Sequence, residues 1–305
     1  MTTPIISTDL KTIVAPIYSK AFNGVYAQRK DQWKLFMKEI QGEQSDQHIE
    51  PMIYGFGAAP LLPDGSAITY DTGGETLVAN YKYDVYGLAF AITEVLVEDG
   101  KEISVGTTFS KHLAQSCMET QEITRANILN RAFSSSYVGG DSVSLCNASH
   151  PGAMGNTYSN LLTAAAALSQ TSLEQMLIQI EQAVDDRGKK IALSGQRLIV
   201  APANKMQAIV LLKSVLRTGS ANNDINPITA NSMLEAEPGV VQRLTSNTAW
   251  YITTDAPSGL QVAVRRKLKT GMEGDFETGS LRYKATFREK AGWTNPRGIY
   301  GTPGV

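Results

Sequence analysis

The sequence predicts an α+β chain that cannot cover all of its apolar surface alone. Three patterns point there. A long helix, read over residues 109–133, carries apolar stripes on more than one side. Period-two runs at 81–92 and 260–288 read as strands. An amphipathic opening segment and an aromatic ribbon both lack local segments to lie against, and a two-stranded ribbon is marginally stable in water.

Composition bounds the answer. The chain has 305 residues, room for one large or two modest domains. Lys and Arg number 28 against 29 Asp and Glu, a net charge of -1, mixed along the chain without a basic run. A dedicated nucleic-acid reader would need a basic face. No apolar run reaches about 18 residues, so no membrane span is expected. The start, MTTPIISTDLKT, has neither the charged nor the apolar part of a signal peptide. The two cysteines, Cys117 and Cys146, read as buried thiols of a reducing compartment rather than a disulfide.

In chain order, residues 1–50 read as an arm. Leu10, Ile13, Val14, Ile17 and Tyr18 keep helical spacing after the capping candidates Thr8 and Asp9; Pro16 should kink or break the helix and Gly24 end it. From 51 to 93 the pattern turns to strands and turns, with Pro60, Pro63, Asp64 and Gly65 at one tip and Gly73-Gly74 at another. Tyr81, Tyr83 and Val85 alternate with Lys82, Asp84 and Tyr86; Gly87 interrupts, and Leu88, Phe90 and Ile92 resume, which reads as a two-stranded ribbon. The long helix follows. Leu113, Cys117, Thr124 and Ile128 make one stripe, and Met118, Ala126, Leu129 and Phe133 another. Thr107 or Thr108 is its candidate cap, and the serines from Ser134 with Gly139-Gly140 its end.

After a turn-rich link, Ser172 is the candidate cap of a helix carrying Leu173, Met176, Leu177, Ile180 and Val184, with Gly188 beyond its end. Leu198, Ile199 and Val200 make a buried strand stopping at Pro202, and a helix with Met206, Ile209 and Val210 follows. Residues 218–229 read as a surface loop, and Trp250, Tyr251 and Ile252 as a strand. In the tail, Leu260, Val262 and Val264, then Leu281, Tyr283, Ala285 and Phe287, predict a hairpin with one apolar and one basic-polar face.

The search for chemistry finds little. There is no GxxxxGK[ST] phosphate loop and no GxSxG elbow. Gly55-Phe-Gly57 begins like a dinucleotide fingerprint, but Pro60 stands where the third glycine belongs and no helix follows. His112 and Cys117 lie about 140° apart around a helix and cannot share a metal. Cys146 and His150 have tolerable ligand spacing but lack two further partners. Asp185-Asp186 beside Arg187 and Lys189 reads as a solvated helix end. No catalytic, cofactor or metal residue is assigned.

Several stretches in order carry a resemblance: ITEVLVEDG, ANILNRAF, LCNASHPGAMGN, ALSQTSLEQMLIQIEQAVDDRGKKIAL, QRLIVAPANKMQAI, NPI, AWYITTDAP and LRYKATFREKAGW. Together they resemble the Mu-like major head subunits, major capsid proteins of tailed bacteriophages. The resemblance implies the Hong Kong phage-type capsid fold: an N-terminal arm (1–50), an extended E-loop (51–93), a peripheral domain with a long spine helix (94–195), an axial domain (196–259) and C-terminal strands returning to the peripheral domain (260–305). It also implies hexamers and pentamers enclosing double-stranded DNA in an icosahedral head, assembled in the host cytoplasm with scaffolding protein, portal and decoration proteins. The arm starts almost at Met1, so the scaffold is expected to be a separate protein. Neither the Lys nor the Asn of the covalent cross-link some relatives form can be matched here.

The expected contacts between copies are Leu10, Ile13 and Ile17 on the arm, and Tyr81, Tyr83 and Tyr86 on the ribbon. Arg265, Arg266, Lys267 and Lys269 face a neighbour's acidic surface, the packaged DNA or solvent. Two alternatives stand beside this reading: an encapsulin-type compartment holding a protein cargo, and a soluble α+β enzyme using His150 and Cys146.

Overall fold

The computed structural model describes residues 7–217, 224–275 and 277–305, with side chains from Thr12 onward. Helix α1 (Ser7–Ala27) is followed by a 3-10 turn at Gln32–Leu35 and strand β1 (Lys38–Gln41). Strands β2 (Gln47–Tyr54), β3 (Gly74–Lys82) and β4 (Asp84–Ile92) precede a short helix α2 (Glu94–Glu98) and the long α3 (Glu102–Asn130). Then come β5 (His150–Pro151), β6 (Thr157–Tyr158), α4 (Gln170–Glu181), β7 (Gly195–Val200), α5 (Lys205–Lys213), α6 (Pro227–Ala230), β8 (Gly239–Val240) and β9 (Trp250–Thr254). Strands β10 (Leu260–Gly274), β11 (Leu281–Trp293) and β12 (Ile299–Thr302) close the chain.

Two four-stranded sheets carry the architecture, in the orders β1-β10-β11-β4 and β12-β9-β7-β8. The first follows from the tail's alternation: Leu281, Tyr283, Ala285 and Phe287 turn inward, and Arg282 and Lys284 outward. Its inner face packs under α1 and α3 through Val14, Tyr18, Phe22, Leu113, Ala114 and Cys117. One face of the second sheet packs against both α4 and α5, with Leu173, Met176, Ile180, Leu198, Val200, Leu211 and Trp250 in one core. A middle core joins the two bodies: Trp33, Met37, Leu129, Leu145, Ile199, Tyr251 and Val262 pack together.

The long helix starts seven residues before the expected Phe109. Lys101 precedes it without a side-chain cap, and Thr107 and Thr108 lie inside it. Thr108 Oγ1 instead donates to the Ser104 carbonyl at 3.1 Å, a bond back to the preceding turn. The helix ends at Asn130, before the serine run. Gly106 allows α1 to cross closely, since a Cβ there would collide with the Tyr18 hydroxyl. That hydroxyl donates to the Glu102 carbonyl at 2.6 Å.

The arm differs from expectation. Helix α1 runs through Pro16 and past Gly24, and its Val14, Tyr18 and Phe22 face is buried on its own subunit. Pro16 removes one N–H from the ladder, but the packed face holds the helix together. Residues 32–41 are core rather than arm: Trp33 is buried and β1 pairs parallel with β10.

The ribbon is also built differently. Its strands are β2 and β3, paired from Gln47↔Lys82 to Tyr54↔Gly74. Gly87 does not break the run after it: β4 is continuous and pairs with β11 from Leu281↔Ile92 to Glu289↔Asp84. The domain boundaries move accordingly. Helix α4 and Leu162 pack in the second body, which therefore begins well before residue 196. Strand β12 pairs with β9, so the last strand returns to the second body, not the first.

Smaller differences follow local chemistry. Ser169, not Ser172, caps α4, and the two serines form a capping box. Asn226, placed in a surface loop by its sequence, is fully buried and caps α6; residues 218–223 lie outside the described residues.

Candidate interaction surfaces

The ribbon is the principal protrusion. Beyond Tyr54 and before Gly74 the chain makes a long tip without strands. Leu61 is 94% exposed, Tyr70 95%, Ile68 74% and Phe56 63%, and Ile53, Ile49 and Val78 continue the apolar strip down the ribbon. Isolated exposed apolar residues are ordinary, but a row of seven along one limb is not.

The limb is held at its throat. Arg187 forms an ion pair with Asp71 at 2.7 Å and donates to the Gly55 carbonyl at 3.3 Å, while Lys189 donates to the Phe56 carbonyl at 2.5 Å. The backbone N–H of Gly57 and then the Arg187 guanidinium hold the Asp71 carboxyl down to about 2. Lower on the limb, Thr76 Oγ1 donates to Asp186 Oδ2 at 2.8 Å.

Asp186 is not part of a solvated helix end. It is buried 2.8 Å from Arg297 Nη2, an approach off the line of a hydrogen bond and so a Coulombic contact. Arg297 Nε donates to the Val184 carbonyl, and its guanidinium lies 3.5 Å from the Tyr158 ring centre. A second buried pair ties α3 to β11. Arg125 Nε and Nη2 grip Glu289 at 3.1 and 2.6 Å, with Arg125 4.1 Å above the Trp33 ring. Burial pushes the Glu289 carboxyl up and Arg125 pulls it part of the way back.

The expected contact residues fall in different places. Tyr81 is buried and its hydroxyl lies 2.7 Å from Thr294 Oγ1; Tyr83 is buried against the same sheet with Ala263. Both are therefore covered within the subunit, and the exposed apolar positions of the limb are its outer face and tip instead. Tyr86 is half-buried, stacked on Phe287 at 5.0 Å, and lines a cleft of about 480 Å³ between α3 and the ribbon base. Ile13 is 62% exposed and Ile17 half-buried; the Leu10 side chain lies outside the described residues. Arg266, Lys267 and Lys269 stand exposed on the outer sheet face, while Arg265 is half-covered near Tyr83. Alternation finds a strand's two faces but not which of them another segment covers.

The residues of the enzyme alternative serve packing. His150 is fully buried with Nδ1 2.6 Å from Asp141 and Nε2 3.0 Å from Asn160 Oδ1. Asn160 in turn donates to the Leu145, Pro296 and Ile299 carbonyls. Both ring nitrogens are taken up in joining three loops. Cys146 is buried and desolvation pushes its thiol well up, the reverse of an activated nucleophile. Among the described residues no group of three His, Cys, Asp or Glu side chains could hold a metal, and no helix is long and apolar enough to cross a membrane.

A family model described as phage capsid protein matches residues 78–302. No curated protein matches in sequence. Among solved structures, the capsid of cyanophage P-SCSP1u superposes with a TM-score of 0.55 at 11% identity, over 90% of this chain and 88% of that one. The capsid of an empty GTA particle gives 0.54 at 10% identity, over 90% of each chain. The procapsid of bacteriophage JBD30 gives 0.53 at 12%, over 99% of this chain and 76% of that one. At such identities these likenesses speak for the fold, and the family model for membership.

Proposed function

Because the chain belongs to the phage capsid protein family and is a structural subunit of the head, we propose that its copies form hexamers and pentamers closing an icosahedral shell around double-stranded DNA. Assembly takes place in the host cytoplasm with scaffolding and portal proteins, and decoration proteins bind the finished shell. The work is done by burial between copies, not by catalysis.

The observation that carries this is the exposed apolar strip on the limb, Ile53, Phe56, Leu61, Ile68 and Tyr70 above all. Each large side chain moved out of water adds about 1.5–3 kcal/mol. One such contact between two copies is modest. Repeated with several neighbours, it holds a shell by multivalency. Net charge near zero suits dense packing, because self-repulsion is small.

The test is electron microscopy of the expressed protein with its scaffold, beside the triple variant Ile53→Ser, Leu61→Ser, Tyr70→Ser. Wild type should give closed shells. The variant should keep its melting curve and remain as free subunits. Shells from the variant at wild-type yield would refute the limb's role. Nucleic acid inside filled particles supports the phage head, and a protein cargo would favour the compartment alternative.

A further inference from the structure

The first sheet is polarised in charge along its length. At its hairpin end, Glu94, Glu98 and Asp99 stand exposed on and just after α2, Glu277 is exposed in the hairpin turn, and Glu273 sits opposite Arg282 in the register. Glu94 lies over the hairpin turn, so close that a Cβ on Gly279 would strike its carboxylate. Lys101 answers this group from 3.7 Å beyond Asp99, and Arg282 pairs with Asp275.

Further along, the outer face is bare and basic. Arg266, Lys267, Lys269 and Lys284 are exposed there. Lys267 has Glu39 at 3.9 Å, and among the described residues Lys269 and Lys284 meet no carboxylate. The register places Ala91 beside Arg282, Ala89 beside Lys284, Gly87 beside Thr286 and Gly271 beside Lys284, so the surface between the cations is flat. Helices α1 and α3 cover the opposite face, and the ribbon base covers this one at the end away from the hairpin, around Ala263, Gly292 and Arg288.

The two regions neutralise each other only weakly within one copy. From Leu281 at the hairpin end the strand rises roughly 10 Å to Lys284 and roughly 17 Å to Thr286, beside Lys269, one to two Debye lengths in physiological salt. A paired strand does not fold back on itself. We propose that the acidic hairpin end of one copy docks on the bare basic sheet face of the next. This contact rests on the capsid reading and names one surface within it. Val95, 66% exposed on α2, supplies an apolar centre, and the small residues of β4 admit it. The contact joins two different surfaces, so it is heterologous and propagates into a ring when the rotation closes.

Charge exchange tests it. The variants Lys267→Glu/Lys269→Glu/Lys284→Glu and Glu94→Lys/Glu98→Lys/Asp99→Lys should each lower particle yield by at least about tenfold, and the two sets combined in one chain should restore most of it. Circular dichroism reports whether each chain folds. A measurement independent of reversal mixes Lys269→Cys copies with Glu98→Cys copies under mild oxidation. A disulfide-linked pair should form in the mixture and not in either pool alone, since both natural cysteines are buried. Unaltered assembly by either single set, no rescue in the combination, or no linked pair would overturn the contact. Normal shells that fail to retain DNA would assign the face to phosphate and overturn it too. Wild type that forms no particles would defeat the capsid reading itself.

Discussion

Replacing Arg125 by Met tests how the long helix is fixed to its sheet. Methionine keeps the stem's packing on Trp33 and removes the charge. Glu289 then stays buried in the middle of β11 without the guanidinium that holds it at 2.6 Å. Burial already raises this carboxyl, and losing Arg125 raises it further. The folded variant therefore holds its proton to higher pH than the unfolded chain, which releases it near pH 4.3, and between the two pKa values this linkage costs about 1.4 kcal/mol per pH unit. For an acid raised on folding, stability is fully present below the unfolded pKa and lost as pH rises toward the folded one. The penalty should accordingly shrink as pH is lowered and nearly vanish near 4.3. Urea unfolding of unassembled subunits, followed by tryptophan fluorescence at several pH values, measures it. A loss that is flat across that range would refute the reasoning and reduce Arg125 to a packing residue.

Other outcomes follow from the same geometry. Gly106→Ala should destabilise by about 1–3 kcal/mol through the clash with Tyr18, and Tyr18→Phe by about 1 kcal/mol through the lost bond to Glu102, both read from urea midpoints. Arg187→Ala should leave the melting temperature nearly unchanged but speed proteolysis within 55–73, because Arg187 closes the limb's throat. In wild type that clasp should persist to about pH 4, since Asp71 protonates only near 2 and its contribution is lost as pH falls through that value; protease protection at pH 4 and 7 checks it. Removing α1 should yield insoluble chain rather than a soluble core, because it uncovers Tyr283, Met272 and Ala114; the soluble fraction after expression measures this. Cys146 should resist thiol reagents until the chain unfolds.

The tail hairpin was legible because Leu281 to Phe287 alternate cleanly against one buried face. The long helix was legible in its second half, where apolar stripes are dense. Its start was not, since Glu102 to Thr108 is mostly polar and holds a glycine whose purpose is the crossing of α1. The ribbon's true first strand, Gln47–Tyr54, carries Pro51 and few alternating apolar residues, so Tyr81 to Ile92 looked like a ribbon by itself. Amphipathicity showed that α1 needed a partner but could not say whose surface supplied it. The buried ion pairs were out of reach for a related reason. Arg125 interrupts an apolar stripe, which is a signal, but Glu289 lies 164 residues away and only the fold brings them together.

Both bodies are completed by strands from late in the sequence. Strand β11 fills the middle of the first sheet, and Tyr300 on β12 completes the core of the second. Each body thus closes only when late strands meet early ones: a chain cut before β11 would lack the middle of one sheet and a wall of the other's core, and would present no finished face to a neighbouring copy.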